Sequence, residues 1–152
     1  MSQISVTKSF SWDMSHMLAG HQGECRNLHG HTYKLEVEVG NKAGQMQEVG
    51  PARGMVVDFK DLKEIVKNKI INPLDHSFLY WSKSTTEVEH QIAQLLEEDE
   101  RKVYGVDFRP TAENMAQYFW DILKDDLQEL GLELESIKVW ETETSYAQVK
   151  GE

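Results

Sequence analysis

The sequence predicts an α+β domain, in which an antiparallel sheet carries helices on one of its faces. Two regions near the N-terminus and two near the C-terminus alternate apolar and polar residues, which is the period of half-buried β-strands. Between them, three segments repeat apolar residues at helical spacing. The predicted order is therefore β-β-α-α-α-β-β, a four-stranded antiparallel sheet in a single domain that spans residues 1–152.

The charge balance excludes several classes of partner. The 152 residues include 16 basic and 26 acidic side chains, a formal net charge of -10. General nucleic-acid binders and proteins of acidic membrane surfaces need a basic footprint, so neither class is expected. No apolar run has the length of a membrane span, and the N-terminus lacks the apolar core of a signal peptide. The single cysteine excludes an internal disulfide and suits a reducing compartment, so we expect a cytoplasmic protein.

The first strand is predicted over residues 3–12, with Phe10 and Trp12 on its apolar face. His16 follows at a position that shares this apolar face. A core histidine is the simplest interpretation of His16 alone. If this strand pairs antiparallel with the strand that follows His31, however, His16 lies near the histidines of that second strand.

The segment from Cys25 to His31 places one thiol and two imidazoles within seven residues. His29 and His31 are two positions apart at the start of an alternating strand that runs to about Gly40, so their side chains share a face. Two such imidazoles can hold one metal ion, with zinc the first candidate. With His16 they would leave a fourth position open, as in catalytic zinc sites. The alternative is a pair of solvated histidines at a strand entrance, and His21 is predicted to be a bystander.

The central segments predict two helices and an acid–imidazole pair. After an irregular loop over residues 41–54, Met55–Val57 is predicted to re-enter the sheet, and Asp58 to cap a helix that Pro73 ends. Asp75 and His76 follow at once. Alone, they are most simply a turn aspartate beside a surface histidine. A second helix is predicted over residues 85–100, with a capping box formed by Thr86 and Glu89 and with a solvated His90 on its polar side.

The last helix and strands carry three further polar residues of interest. Thr111 is predicted to cap the third helix, and Glu113 lies in its first turn, where the helix dipole stabilises a carboxylate. Glu141 continues the apolar face of a strand, where burying an unpaired carboxylate is costly. The alternative is that this strand has left the core by residue 141. A final strand is predicted at about residues 146–149.

Five motifs in register resemble the family of 6-pyruvoyltetrahydropterin and 6-carboxytetrahydropterin synthases. In chain order they are Phe10–His16, the Cys-x-x-x-His-Gly-His pattern of Cys25–His31, Gly54–Phe59, Leu74–His76 with Pro110–Asn114, and Glu141–Thr142. The resemblance implies a tunnelling fold (T-fold), in which four-stranded sheets of several subunits join into a barrel. It also implies a homo-oligomer, a hexamer built as a dimer of trimers, with active sites at subunit interfaces.

The same resemblance implies roles for individual residues. His16, His29 and His31 would bind Zn²⁺. Cys25 would be the general base, with Asp75 and His76 assisting proton transfer. Glu141 would anchor the pterin ring and join the proton relay, and Thr111 and Glu113 would help to hold the ring.

The resemblance further implies a reaction. The three-residue spacing between Cys25 and His29 resembles bacterial carboxy-type enzymes of queuosine (7-deazaguanine) biosynthesis. Such a lyase converts 7,8-dihydroneopterin triphosphate to 6-carboxy-5,6,7,8-tetrahydropterin, acetaldehyde and triphosphate. A pyruvoyl-forming enzyme and a non-catalytic zinc- or pterin-binding assembly protein are the alternatives. For the triphosphate, Arg26, Lys42 and Arg53 are the predicted basic cluster.

Overall fold

The structure, a computed structural model, describes residues 2–152, and within them it contains six strands and four helices. The strands are β1 (Val6–His16), β2 (His29–Asn41), β3 (Ser77–Trp81), β4 (Val103–Val106), β5 (Leu132–Thr142) and β6 (Ser145–Lys150). The helices are α1 (Phe59–Val66), α2 (Asn72–Leu74), α3 (Glu87–Glu98) and α4 (Ala112–Glu129), and a π-helical turn (Lys67–Ile71) joins α1 to α2. In the part of the chain that is described, no helix has the length and apolar character needed to cross a bilayer.

The sheet has six strands in the order β4-β3-β1-β2-β5-β6, so the prediction of four antiparallel strands is wrong as a description of the whole sheet. The predicted strands β1, β2, β5 and β6 are neighbours and pair antiparallel. Beyond β1, however, β3 and β4 add two parallel strands. The first three residues of β3 are all buried, so the alternation that reveals a half-buried strand is absent there.

Helices lie on both faces of the sheet, not on one as predicted. The main core packs α1 and α4 against one face, which includes Phe10 of β1, Leu35 of β2 and Leu79 of β3. Phe78 belongs to a second, smaller core with Ala93 of α3. Because neighbouring residues of a strand point to opposite faces, α3 covers the other face of β3.

Two local predictions are confirmed at helix starts, and two others are wrong. Asp58 accepts a hydrogen bond from the Lys60 N–H at 2.9 Å, and Thr111 caps α4 as predicted. Met55–Val57 does not join the sheet, although Val56 and Val57 are buried in the core. The predicted capping box is absent because the Thr86 side chain makes no hydrogen bond to the first turn of α3.

Glu89 is instead fully buried, and it accepts a hydrogen bond from the Trp81 N–H at 2.8 Å. His90, predicted to be solvated, bonds to the Tyr80 hydroxyl and lies 2.9 Å from the Ser84 carbonyl oxygen. These polar contacts attach α3 to β3.

Candidate active site

Three histidines converge where β1 ends and β2 begins. His16 is the last residue of β1 and lies directly opposite His29, the first residue of β2. The third histidine, His31, shares a face with His29 because the two are separated by one residue of the strand. One nitrogen from each ring lies within 4.8 Å of the other two. The structure therefore brings together the three side chains that the sequence singled out, in an arrangement that can hold a metal ion.

Two of these imidazoles are oriented by backbone carbonyl oxygens. The Nδ1–H of His16 donates to the Pro110 oxygen at 2.8 Å, and that of His29 donates to the Asn27 oxygen at 2.7 Å. Each ring consequently keeps its Nε2 lone pair for another partner. Among the described residues, the Nε2 atoms of His29 and His31 are buried without any hydrogen-bond partner. Imidazole nitrogens that lie close together without hydrogen-bond partners are expected in a metal site that contains no metal.

Burial favours the neutral form of His16 and His31, which is the form that binds metal. Desolvation of the fully buried His16 lowers its pKa to about 4, against the Pro110 hydrogen bond, which raises it. The pKa of His31 is also lowered, mainly by desolvation and further by His29, while Glu141 opposes the change.

Glu141 borders the histidine cluster from β5. Its Oε1 lies 3.3 Å from the His31 Nε2, without hydrogen-bond geometry, and its side chain is 24% exposed. Burial and, to a lesser degree, the charge of Glu141 raise the pKa of the adjacent Tyr33 well above its ordinary value. The prediction that Glu141 continues the apolar face is confirmed by its proximity to His31, but this carboxylate is not deeply buried.

Asp75 and His76 form a second cluster with Asp13 of β1. The Asp75 Oδ1 lies 2.9 Å from the His76 Nδ1 and accepts a hydrogen bond from the Asp13 N–H at 3.1 Å. The His76 N–H in turn donates to the Asp13 oxygen at 2.7 Å. Desolvation raises the pKa of Asp75, but the Asp13 N–H, His76 and Lys102 outweigh it, so the pKa is lowered overall.

Asp13 is a site residue that the sequence did not reveal. In the alternation of β1, Asp13 falls on the polar face. An aspartate is ordinary on such a face, so the sequence pattern does not mark it as functional. Its carboxylate accepts a 2.6 Å hydrogen bond from Thr32, which lies directly opposite it on β2. His76 has a φ of 63°, a left-handed conformation that is costly for a residue with a Cβ. The backbone of Asp13 holds this strained turn in place.

One cleft is lined by residues of both clusters. It has a volume of about 420 Å³ and is lined by Asp13, His31, Thr32 and His76 among others. Gly30 also lines it, and a Cβ at this position would lie only 3.3 Å from the Met14 carbonyl oxygen. A glycine there lets β1 and β2 approach at the cleft wall.

Cys25 stands apart from both clusters. It lies in a short 3₁₀ turn, Glu24–Arg26, and is partly buried. Its carbonyl oxygen accepts a 2.9 Å hydrogen bond from the Leu18 N–H, which ties the turn to the end of β1. Among the described residues, the thiol belongs to neither group of convergent ligand atoms.

The remaining predicted site residues are less closely gathered. The Thr111 hydroxyl accepts from the Asn114 N–H at 3.2 Å, so one of its lone pairs is used within α4, and Glu113 is exposed in the first turn. The predicted basic cluster for triphosphate is not formed in one chain. Arg26, Lys42 and Arg53 line three different clefts.

Comparison with known proteins finds relatives that match nearly the whole chain. Residues 5–152 match the family model described as 6-pyruvoyl tetrahydropterin synthase. A 6-carboxy-5,6,7,8-tetrahydropterin synthase from Haemophilus influenzae is 48% identical over 145 residues, covering 95% of this chain and 97% of that protein. The human 6-pyruvoyl tetrahydrobiopterin synthase is 32% identical, with 99% of this chain and 93% of that protein covered.

The fold is also found among solved structures. The structure of Plasmodium falciparum 6-pyruvoyl tetrahydropterin synthase superimposes with a TM-score of 0.67. The alignment covers 99% of each chain at 22% sequence identity. At this identity the likeness establishes the shared fold.

Proposed function

Because the chain belongs to the 6-pyruvoyl tetrahydropterin synthase family, we propose that it is a lyase that makes 6-carboxy-5,6,7,8-tetrahydropterin. Its substrate would be 7,8-dihydroneopterin triphosphate, and acetaldehyde and triphosphate would be released. This places the enzyme in queuosine (7-deazaguanine) biosynthesis. A cytoplasmic location stays a prediction.

The observation that carries the proposal is the cluster of His16, His29 and His31, in which two buried Nε2 atoms make no hydrogen bond within the described part of the chain. Three imidazoles, with no fourth ligand group converging on them among residues 2–152, suit a catalytic Zn²⁺. When bound, zinc would supply a Lewis acid that polarises the hydroxyl oxygens of the substrate's side chain. The identity of the metal is part of the proposal.

We assign the proton-transfer steps to residues of this chain. Asp75 fixes the His76 ring through Nδ1, which leaves Nε2 at the cleft to give or take a proton. Cys25 would act as the base that removes a proton from carbon, since a thiolate is readily formed near cationic groups. Glu141 would accept two hydrogen bonds from the amino-pyrimidine edge of the pterin. Thr111 and Glu113 would complete the ring site.

A homo-oligomer, with the hexamer as the expected form, would reconcile these roles with the position of Cys25. In one chain the thiol does not meet Asp75 and His76. The T-fold assembly implied by the family places active sites at subunit interfaces. We propose that a neighbouring subunit brings the acid–base pair to the thiol.

The carboxy-type product is favoured over the pyruvoyl-type product by two observations. The Cys25-x-x-x-His29 spacing is that of the carboxy-type loop, and the 48% identical relative carries the carboxy-type name. A non-catalytic pterin-binding role would leave the second cluster, with its strained His76, without a use.

Product analysis tests the proposal. The zinc-loaded protein is incubated with 7,8-dihydroneopterin triphosphate, the pterin is identified by mass spectrometry, and acetaldehyde is followed by a coupled assay. Carboxytetrahydropterin with acetaldehyde supports the proposal. A pyruvoyl product without acetaldehyde would reassign the reaction but keep the site, and binding without turnover would favour the non-catalytic alternative.

A further inference from the structure

Five clefts of the chain differ sharply in the charge of their walls. The cleft lined by His31 and His76 contains Asp13. A second has Glu38, Glu133 and Glu135 against Lys42, and two others contain one acidic and one basic side chain each. The remaining cleft, of about 440 Å³, is lined by His21 and Arg26 and by no acidic side chain of the described residues. A cleft lined by basic but not acidic side chains stands out in a chain with a net charge of -10.

The basic cleft lies between the Cys25 turn and α3. One wall consists of Gly20, His21 and Arg26–Leu28, and the other of Thr86, Val88 and Ile92 of α3. Asn27 belongs to this wall, and its carbonyl oxygen holds the His29 ring at 2.7 Å. The cleft therefore borders the segment that leads into the histidine end of β2.

The two polar side chains of the wall are available to an anion. The His21 Nδ1 accepts a hydrogen bond from the Gly23 N–H at 2.9 Å, which leaves the proton on Nε2 as a donor. A Cβ on Gly23 would lie 3.0 Å from the His21 Cε1, so the ring packs closely on this glycine. Arg26 is exposed, and among the described residues no carboxylate lies within salt-bridge distance of it.

Glu141 lies 3.3 Å from the His31 Nε2 on the β5 side, whereas Asp13 points to the opposite face of the sheet. Away from Glu141, a path runs from His29 to Asn27 and Arg26. On this path the Asn27 side chain donates to the Glu24 carboxylate at 3.3 Å, and Arg26 is the cation. A substrate whose ring is held at Glu141 and whose hydroxyls are held at the histidines would extend its phosphates along this path.

We propose that the cleft formed by His21, Arg26 and the N-terminal half of α3 binds the triphosphate of the substrate. This assignment rests on the proposed function. Arg26 contributes a charge-assisted contact to phosphate oxygens, and His21 donates from Nε2. It also gives the segment between Trp81 and Arg109 a role, because α3 forms the second wall.

Inorganic triphosphate is the probe for this site. Its affinity for the zinc-loaded protein is measured by isothermal titration calorimetry for wild type, Arg26→Ala, His21→Ala and the matched control Arg53→Ala, whose side chain lines a different cleft. Any direct contact of triphosphate with zinc is common to all four proteins. We expect a loss of about tenfold or more for Arg26→Ala, a smaller loss for His21→Ala, and no change for Arg53→Ala.

Kinetics with 7,8-dihydroneopterin triphosphate provide the second measurement. Arg26→Ala should raise KM while kcat changes less than about twofold, because a contact that is equal in the ground and transition states affects binding alone. Equal triphosphate affinity of wild type and Arg26→Ala would overturn the assignment, as would a loss confined to Arg53→Ala. Triphosphate binding that depends on Arg26 without any turnover would retain the anion site and reject the proposed reaction.

Discussion

The His16 ring donates from Nδ1 to the Pro110 carbonyl oxygen at 2.8 Å, although 94 positions separate the two residues in sequence. Pro110 directly precedes the N-cap of α4, so the start of this helix orients an imidazole at the end of β1. A hydrogen bond to one ring nitrogen of a histidine sets which of its two nitrogens is free for a metal.

Removal of any one of the three histidines should abolish tight zinc binding. His29→Ala is expected to weaken zinc affinity by more than about 100-fold, since even the loss of an outer-shell partner costs 10–100-fold. Zinc per chain is measured by mass spectrometry after dialysis against a weak chelator. His21→Ala is the matched control and should retain zinc, and equal zinc contents in the two variants would refute the site.

Cys25→Ala should lower kcat by about 100-fold or more, because a positioned general base contributes this much or more. Its zinc content should equal that of wild type. Cys25 is the only thiol of the chain, so alkylation by iodoacetamide reports on this side chain alone. Substrate should protect the thiol from alkylation. Full activity in Cys25→Ala would show that another group is the base.

The metal-free protein should lose stability as the pH falls below about 6.5. The pKa of His16 is about 4 in the folded chain, against an ordinary value of 6.5. Between these two pH values His16 is therefore protonated in the unfolded chain and neutral in the folded chain. Stability is therefore full above pH 6.5 and declines toward pH 4, by roughly 3 kcal/mol for this group. Urea unfolding at several pH values measures the slope. In His16→Gln the decline should be clearly shallower, and an unchanged slope would contradict the assignment.

His76→Gly should be more stable than His76→Ala by about 1 kcal/mol, because the φ of 63° is strained for any residue with a Cβ. Thermal unfolding of both variants tests this. The control pair is Gln91→Gly and Gln91→Ala in α3, where alanine should be the more stable by a similar amount. The same order in both pairs would show that the turn at His76 is unstrained.

Glu89→Ala should destabilise the fold by about 1–3 kcal/mol, since it leaves the buried Trp81 N–H without its acceptor. Glu89→Gln retains an acceptor oxygen and should cost less. Glu87→Ala is the matched control, an exposed carboxylate in the same first turn, and should change stability by less than about 0.5 kcal/mol. Equal effects of Glu89→Ala and Glu87→Ala would mean that the Trp81 contact contributes little.

The alternation of β1 and β2 was sufficient to predict where the histidines meet. A strand has a fixed period of two, and antiparallel pairing of neighbouring strands then placed His16 opposite His29. The N-caps at Asp58 and Thr111 were equally predictable because their hydrogen bonds are local. These parts of the fold follow from short-range rules.

The misassigned elements depend on contacts that are distant in sequence. Glu89 matches a capping box, but its carboxylate bonds to Trp81 of β3 instead. Asp13 lies on a polar strand face and gains its place in the site through Asp75, 62 positions away, and His76. The strand β4 has four residues, too few for its alternation to be distinguished from a loop.

The strand β3 joins β1 through only two residue pairs, Met14 with Ser77 and Ser15 with Phe78. The unit of β3, α3 and β4 is thus a lateral extension of the antiparallel four-stranded sheet, tied to the main core by Leu79 and Val106. Through this attachment, α3 can change the wall of the basic cleft while the histidine cluster on β1 and β2 keeps its place. Exchange of this segment between related enzymes is accordingly a practical route to altered substrate preference.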